Sequence, residues 1–222
     1  MALVGVAGCA SARREPRGAA APPDLAAQTP ASRAATAAVR RHIEALGSGS
    51  EAARDRGFAD LARDTASPAT WTAALAGLEP EEITLASDRV APYLASDQPG
   101  LREIALLTMH RLHPFVEEPP APRSAAWGAA YAQRLVDRRG LSSYEQAHRG
   151  LQLTLALQLI RTPSPGSETS RAVDAVLADP ELVEVANAKS QLGWASASGA
   201  LQEAEKIKAA WNGEARLPGV GP

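Results

Sequence analysis

The sequence is short of cysteine, of aromatic residues and of β-branched residues. It has 222 residues, of which one is cysteine and 4% are aromatic, and Val, Ile and Thr together number 26. A single thiol excludes an internal disulfide and a multi-cysteine metal site. The 48 alanines favour helix, whereas strands need the β-branched and aromatic residues that are scarce here. We therefore predict an all-α protein with one domain and tails.

The chain also lacks an excess of either charge. Its 23 basic residues nearly balance 25 acidic residues, which leaves a net charge of −2. A domain that binds nucleic acid normally carries a strongly basic surface, so we expect no nucleic-acid partner. Twenty of the basic residues are arginine, whose guanidinium group can contact carboxylates through two hydrogen bonds.

The only cysteine ends a run of small and apolar residues at the start of the sequence. The four residues Val6-Ala7-Gly8-Cys9 resemble the lipobox of bacterial lipoproteins, in which an aliphatic residue and two small residues precede a cysteine. The resemblance implies that residues 1–9 are a short lipoprotein signal with its lipobox. It also implies that Cys9 is the lipid attachment site, acylated with chains such as palmitate.

The segment before the cysteine departs from a complete secretory signal. Such signals have a basic region and about 7–15 apolar residues, whereas only eight uncharged residues precede Cys9. Either the true start codon lies upstream of Met1, or this is an ordinary N-terminus with a chance cysteine. The apolar run is also shorter than the about 20 residues that span a bilayer.

The residues after the cysteine are rich in Ala, Pro and Arg and have no periodicity. We predict a disordered tether over residues 10–32, because such a segment buries too little apolar surface to fold. The first tether residue is Ala10, not the aspartate that keeps lipoproteins of enteric bacteria in the inner membrane. The expected location is the cell membrane or outer membrane, with the domain on the periplasmic or extracellular side.

Helical periodicity dominates residues 33–211, for which we predict about nine short helices, followed by a disordered tail at 212–222. Helix starts are indicated at Ser50, Pro68, Pro80 and Pro99, where capping residues or prolines precede apolar residues at helical spacing. The fourth helix is expected to reach Leu94. Single helical regions are expected over Ser143 to Arg161 and from Pro180 to Trp211, the latter weakened at Gly193 and Gly199. Residues 151–159 alternate with period two, but their Leu, Gln and Ala content favours a buried helix.

One helix carries a motif of a known repeat family. The segment from Asp97 to Leu106, with Leu101-Arg102 at its centre, resembles the start of the second helix of a HEAT repeat. Weaker matches begin near residues 50 and 179, and with Ser143 filling the interval the starts are separated by roughly the 40–47 residues expected of such repeats. The resemblance implies antiparallel helical hairpins stacked as a HEAT-like α-solenoid. An irregular helical bundle is the alternative.

Candidates for chemistry are few. His110 and His113 are three positions apart, and Glu103 or Glu117 would be the only nearby third metal ligand. We assign both histidines a structural role and predict no metal, no cofactor and no catalytic residues. The common nucleotide-binding and hydrolase motifs are missing from the sequence, and no small-molecule substrate is evident.

The four tryptophans are the remaining candidates for recognition. Trp71, Trp127, Trp194 and Trp211 each have aliphatic neighbours at helical spacing, which predicts core packing. Trp211, at the end of the helical region, is the predicted interface anchor.

Together these features predict a membrane-anchored bacterial lipoprotein whose helical domain binds a protein partner in the cell envelope as a scaffold. Two alternatives remain open. One is a helical hydrolase of the envelope, which would bring Arg102, Glu103 and His110 together in a deep pocket. The other is a cytoplasmic helical adaptor that is never exported.

Overall fold

The computed structural model describes residues 29–112, 122–160, 165–188 and 191–214, without the side chains of 122–124 and 191–192. Every regular element within these ranges is helical, which confirms the predicted all-α class. The predicted signal, Cys9 and most of the tether lie outside the described residues. The α-helices are α1 (Pro30–Leu46), α2 (Glu51–Ala66), α3 (Pro68–Leu75), α4 (Pro80–Val90), α5 (Pro99–Leu112), α6 (Pro122–Asp137), α7 (Ser143–Ala147), α8 (Arg149–Gln158), α9 (Ser167–Leu177), α10 (Pro180–Asn187) and α11 (Gln191–Trp211).

Local sequence sets most of the helix starts. Pro30 opens α1 three residues before the predicted domain boundary, because Thr29 caps it by accepting a hydrogen bond from the Ser32 amide at 3.1 Å. Ser67 caps α3 in the same way. Proline is compatible with the first helical position because the amide there has no partner within the helix.

Three predicted helical regions are interrupted. The fourth helix ends at Val90 and continues as a 3₁₀ helix, Ala91–Ala95, because Pro92 has no amide hydrogen to donate. The region from Ser143 divides at His148 into α7 and α8. The last region divides into α10 and α11, with Gly193 and Gly199 inside α11. The described residues therefore contain eleven α-helices instead of nine.

The helices pack as an irregular bundle around one hydrophobic core. Helix α1 contacts α2, α3 and α4, whereas α6 contacts α8, α9 and the 3₁₀ helix, and α11 contacts α8, α9 and α10. The segment with period-two alternation is the buried helix α8, in which Leu153 and Leu157 are fully buried. The prediction of helix for this segment is confirmed.

Close helix crossings depend on glycine at three positions. A Cβ on Gly57 in α2 would lie 2.9 Å from the Ala45 Cβ of α1, and one on Gly128 in α6 would lie 2.9 Å from the Leu159 Cβ. A Cβ on Gly150 in α8 would lie 2.9 Å from the Ser196 carbonyl carbon of α11. These crossings bring backbones into contact and fix the angles of the helices that carry the candidate site.

Candidate functional site

A completely buried ion pair joins α5 to α7. Arg102 donates from Nε to Glu145 Oε1 at 2.9 Å and from Nη2 to Glu145 Oε2 at 2.7 Å. The guanidinium also donates to the carbonyl oxygens of Ser96 at 2.8 Å and Gly140 at 2.9 Å. We call this arrangement the central clamp. Both side chains are completely buried, so Arg102 cannot act on a bound substrate.

The carboxylate of the central clamp also holds the start of its own helix. Glu145 Oε2 accepts the Ser142 amide at 2.8 Å, and the Ser142 hydroxyl accepts the Glu145 amide at 3.1 Å, which is a capping box. The Tyr131 hydroxyl lies 3.1 Å from Glu145 Oε1 and 3.1 Å from Gln152 Oε1. One carboxylate therefore joins α5, α6 and α7, and the tyrosine extends the network to α8.

Burial and hydrogen bonding act in opposite directions on the pKa of Glu145. Burial favours the neutral acid, but the hydrogen bonds from Arg102 and the Ser142 amide favour the carboxylate and lower the pKa. Burial, together with the adjacent Glu145 charge, raises the pKa of Tyr131 far above its usual range. The network is therefore an ionised pair with a neutral phenol beside it.

The same arrangement recurs near the protein surface between α1 and α4. Arg40 donates from Nε to Glu82 Oε1 at 2.7 Å, from Nη2 to Glu82 Oε2 at 2.9 Å, and from Nη2 to the Gly77 carbonyl at 2.8 Å. Glu82 Oε2 also accepts the Glu79 amide at 2.9 Å. We call this arrangement the N-terminal clamp.

The two clamps have a common sequence signature. Each arginine precedes its glutamate by 42 or 43 positions, and each glutamate follows a Gly-Leu pair, at Gly77-Leu78 and Gly140-Leu141. Arg40 and Arg102 are 62 positions apart, which is longer than the predicted 40–47-residue repeat. The Asp97 to Leu106 motif thus contains the arginine of one clamp.

A third arginine, which is buried like Arg102, binds another helix-capping carboxylate. Arg149 donates from Nη1 to Asp179 Oδ2 at 2.5 Å, and both side chains are largely buried. Asp179 Oδ1 accepts the amides of Glu181 and Leu182 at the start of α10. A basic residue that binds a helix-capping carboxylate is thus used three times within the described residues.

An open groove of about 630 Å³ lies between α2 and α5. Helix α2 contributes three alanines together with larger side chains, and α5 contributes an apolar ridge that includes Ile104, which is 43% exposed. The lining residues are Asp55, Phe58, Ala59, Ala62, Arg63, Ala66, Tyr93, Gln98, Leu101, Ile104, Leu107 and Arg111. Most of the side chains that line the groove are apolar.

One end of the groove is held by an aromatic pair. The rings of Phe58 and Tyr93 stack with centroids 4.1 Å apart and an angle of 13° between their planes. The Tyr93 hydroxyl donates to Asp55 Oδ1 at 2.9 Å. Burial, with this hydrogen bond, raises the pKa of Tyr93 to about 12. The phenol is therefore neutral at physiological pH and fixes the Asp55 carboxylate.

A second, smaller cleft of about 430 Å³ lies where α8, α10 and α11 meet. Its lining includes Leu151, which is 47% exposed. Helix α11, which contributes to this cleft, also carries Trp194, which is 49% exposed and is the most exposed of the four tryptophans. Glu181 in this cleft pairs with both Arg149 and Arg138.

The residues singled out from the sequence are distributed over several sites. Trp211, the predicted interface anchor, is partly buried and packs against the core. His110 is half-buried, and its pKa is lowered chiefly by burial, against a hydrogen bond to Gln158. The lipid attachment site Cys9, together with His113 and Glu117, lies outside the described residues.

The described part of the chain shows no metal-binding cluster of three or more His, Cys, Asp or Glu side chains. It also has no helix that is both long and apolar enough to cross a membrane. The pocket in which Arg102 would join Glu103 and His110 does not form, because the Arg102 guanidinium is bound to Glu145 in the central clamp.

Sequence reasoning missed the partners in both clamps and the groove. The Ser142-Ser143-Tyr144-Glu145 capping box is visible in the sequence, but nothing in it indicates contact with an arginine 43 positions earlier. The alanines of the groove are hidden among the 48 in the chain. The clamp signature and the groove are the features by which a relative would be recognised. No protein-family model matches this chain, and no curated protein or solved structure is detectably similar to it.

Proposed function

We propose that this protein is a lipid-anchored interaction module of a bacterial cell envelope, which binds a protein partner through the groove between α2 and α5. The observation that carries the proposal is the groove itself. It exposes apolar side chains from two helices along one continuous concave surface. Solvent-exposed apolar surface of this kind is typical of sites that a partner covers.

Rigid walls support a binding role for the groove. The α2 wall is fixed where Gly57 packs closely against α1. The α5 wall begins at Leu101, and the next residue, Arg102, is held in the central clamp. The floor includes Phe58, which is buried against the core. A preformed groove loses little conformational entropy when a partner binds.

The lipobox resemblance supports the anchor. An acyl chain on Cys9 would hold the domain at a membrane surface, and the Ala/Pro/Arg-rich segment after it would serve as the spacer. Because Cys9 is the only cysteine, removing it removes every site of thioether or thioester acylation in the chain.

Metabolic labelling with radioactive palmitate tests the anchor. We expect label on the wild-type protein, recovered in the membrane fraction, and none on the Cys9→Ser variant. A wild-type protein without label, or a labelled Cys9→Ser variant, would contradict the lipoprotein proposal. An unlabelled wild-type protein in the cytoplasm would instead support the adaptor alternative.

Site-specific photo-crosslinking in the native host tests the groove. A photoreactive amino acid at exposed Ala59 in the groove is compared with one at exposed Glu205 on α11. We expect a discrete protein adduct from position 59 only, and we expect Ile104→Asp to abolish it while the circular dichroism spectrum stays unchanged. Equal adducts from both positions, or an adduct that Ile104→Asp leaves intact, would exclude the groove as the binding surface.

A further inference from the structure

We propose that the partner inserts a single amphipathic α-helix into the groove between α2 and α5, and that a carboxylate on this helix pairs with Arg111. The inference rests on the proposed function, because it names the chemistry of the partner at the same site. It is carried by the shape of the two walls and by the charges along them.

The two walls differ in a way that suits a helix. On α2 three of the six lining residues are alanines, at positions 59, 62 and 66, whereas α5 presents Leu101, Ile104 and Leu107. Alanine methyl groups let another helix backbone come close, and a ridge of larger side chains fits between its turns. Helices that bind in grooves use apolar residues at helical spacing in the same manner.

The length of the groove limits the occupant to a short helix. The lining residues of α2 extend from Asp55 to Ala66, which is three helical turns, or about 16 Å at 1.5 Å per residue. An occupant of about three to four turns would fill it. Such a segment is marginal as an isolated helix in water, so we expect it to become fully helical on binding.

Within the described ranges, one cation of the groove has no ion-pair partner. Asp55 accepts the Tyr93 hydroxyl, and Arg63 pairs with Asp60 at 2.9 Å and with Asp64 at 3.4 Å. Arg111 lines the groove, is partly buried, and has no hydrogen bond or ion pair among the residues that the structure describes. A carboxylate on the occupant would complement it.

The alternative occupant is a fatty acid, which also combines an apolar chain with a carboxylate. A single acyl chain would not need the alanines on the α2 side of the groove, because it has no helix backbone to bring close to them. We therefore favour the helix, and the test below includes the fatty acid as an outcome.

Two synthetic peptides of 16 residues serve as probes. Both carry Leu at helical spacing on one face and neutral residues elsewhere, and they differ only in a central Glu or Gln. Binding of each peptide to the full chain is measured by fluorescence anisotropy. We expect the Glu peptide to bind about tenfold more tightly than the Gln peptide, as for a partly buried charged hydrogen bond.

Variants of the protein assign this difference to Arg111. Arg111→Gln should remove the tenfold preference by weakening the Glu peptide alone, whereas Arg41→Gln, at an exposed arginine of α1 outside the groove, should leave both affinities unchanged. Ile104→Asp should weaken both peptides. Thermal unfolding of each variant separates loss of binding from loss of fold.

The outcomes separate this inference from the proposed function. If both peptides bind equally well and Ile104→Asp weakens both, the carboxylate pairing is wrong and the groove remains a protein-binding site. If neither peptide binds but lauric acid does, and Ile104→Asp abolishes it, the groove is a fatty-acid site and the helix is excluded. If nothing binds, the inference fails, whereas the proposed function stands or falls with the crosslink from position 59.

Discussion

The N-terminal clamp and the central clamp place the same atoms in opposite surroundings. In each, arginine Nε and Nη2 donate to the two oxygens of a glutamate, and Nη2 also donates to the carbonyl five residues before that glutamate. The side chains of Arg40 and Glu82 are 45% and 29% exposed, whereas those of Arg102 and Glu145 are both 0% exposed. The two clamps therefore have nearly the same hydrogen-bond geometry but differ in their exposure to solvent.

This difference indicates that hydrogen-bond geometry alone does not determine how much an ion pair contributes to the stability of the fold. At the surface, water screens both charges and competes for them, so such a pair contributes about 0–1 kcal/mol. In the interior, the charges lose their hydration, and the loss is offset only because the Ser96 and Gly140 carbonyls, the Ser142 amide and the Tyr131 hydroxyl complete the network. We expect the central clamp to be intolerant of partial removal.

Removing one carboxylate from each clamp gives the largest expected contrast. Glu145→Ala should lower the free energy of unfolding by about 3–5 kcal/mol, because it leaves the Arg102 charge buried without a counterion. Glu82→Ala should cost about 1 kcal/mol or less, since Arg40 can turn to water. Urea denaturation at pH 7 measures both. Equal losses would show that burial does not distinguish the clamps.

Acid should break the central clamp by protonating its carboxylate. The pKa of Glu145 lies below its usual value of 4.5 in the folded protein, so the pair stabilises the fold above that value, and the stabilisation is lost as the pH falls through the lower folded pKa. The hydrogen bond from Arg40 lowers the pKa of Glu82 in the same direction.

Urea unfolding of the wild type and of two glutamine variants between pH 7 and pH 3 measures this effect. We expect Glu145→Gln to flatten the dependence of stability on pH more than Glu82→Gln does. A dependence that Glu145→Gln leaves unchanged would contradict the lowered pKa.

Among the described residues, the phenol of Tyr131 belongs to the central clamp, and no tyrosine hydroxyl contacts the N-terminal clamp. Tyr131→Phe should cost about 1–3 kcal/mol, because Gln152 loses a buried hydrogen-bond partner. The matched control is Tyr93→Phe, whose hydroxyl contacts an exposed Asp55 and which should cost less. If urea denaturation shows that Tyr93→Phe costs more than Tyr131→Phe, the buried network does not strengthen its hydrogen bonds.

The smallest expected difference between the clamps is in how salt changes the stability cost of removing the arginine. Arg40→Gln should cost less than about 1 kcal/mol at low ionic strength, and the cost should fall further in 1 M NaCl, where the screening length is about 3 Å. The cost of Arg102→Gln should change little, since solvent ions do not reach a buried pair. Unfolding curves at two salt concentrations provide the measurement.

The fold class and most helix starts could be predicted from the sequence because they depend on local signals. Prolines and capping residues opened α3, α4 and α10 as expected. The break after Val90 was missed although Pro92 indicated it, because apolar spacing through Leu94 favoured one longer helix. Leu94 is indeed buried, so the pattern predicted burial correctly and the type of helix wrongly.

The clamps and the groove could not be predicted, since they join residues that are distant in the sequence. Arg102 belongs to the motif at Asp97, but its partner is 43 positions away. The groove is lined in part by alanines, and an alanine in the core looks the same in a sequence. Only the packing of α2 and α5 in the folded protein shows whether an alanine lines the groove or lies in the core.

The separation between clamp partners has a consequence for synthesis of the chain. Helix α1 contacts α2, α3 and α4, and both residues of the N-terminal clamp lie before residue 83. A chain made from the N-terminus onward can therefore join these four helices before the residues of the central clamp have all been made. Because N-terminal segments emerge first during synthesis, contacts among these four helices can form before the later helices dock onto them.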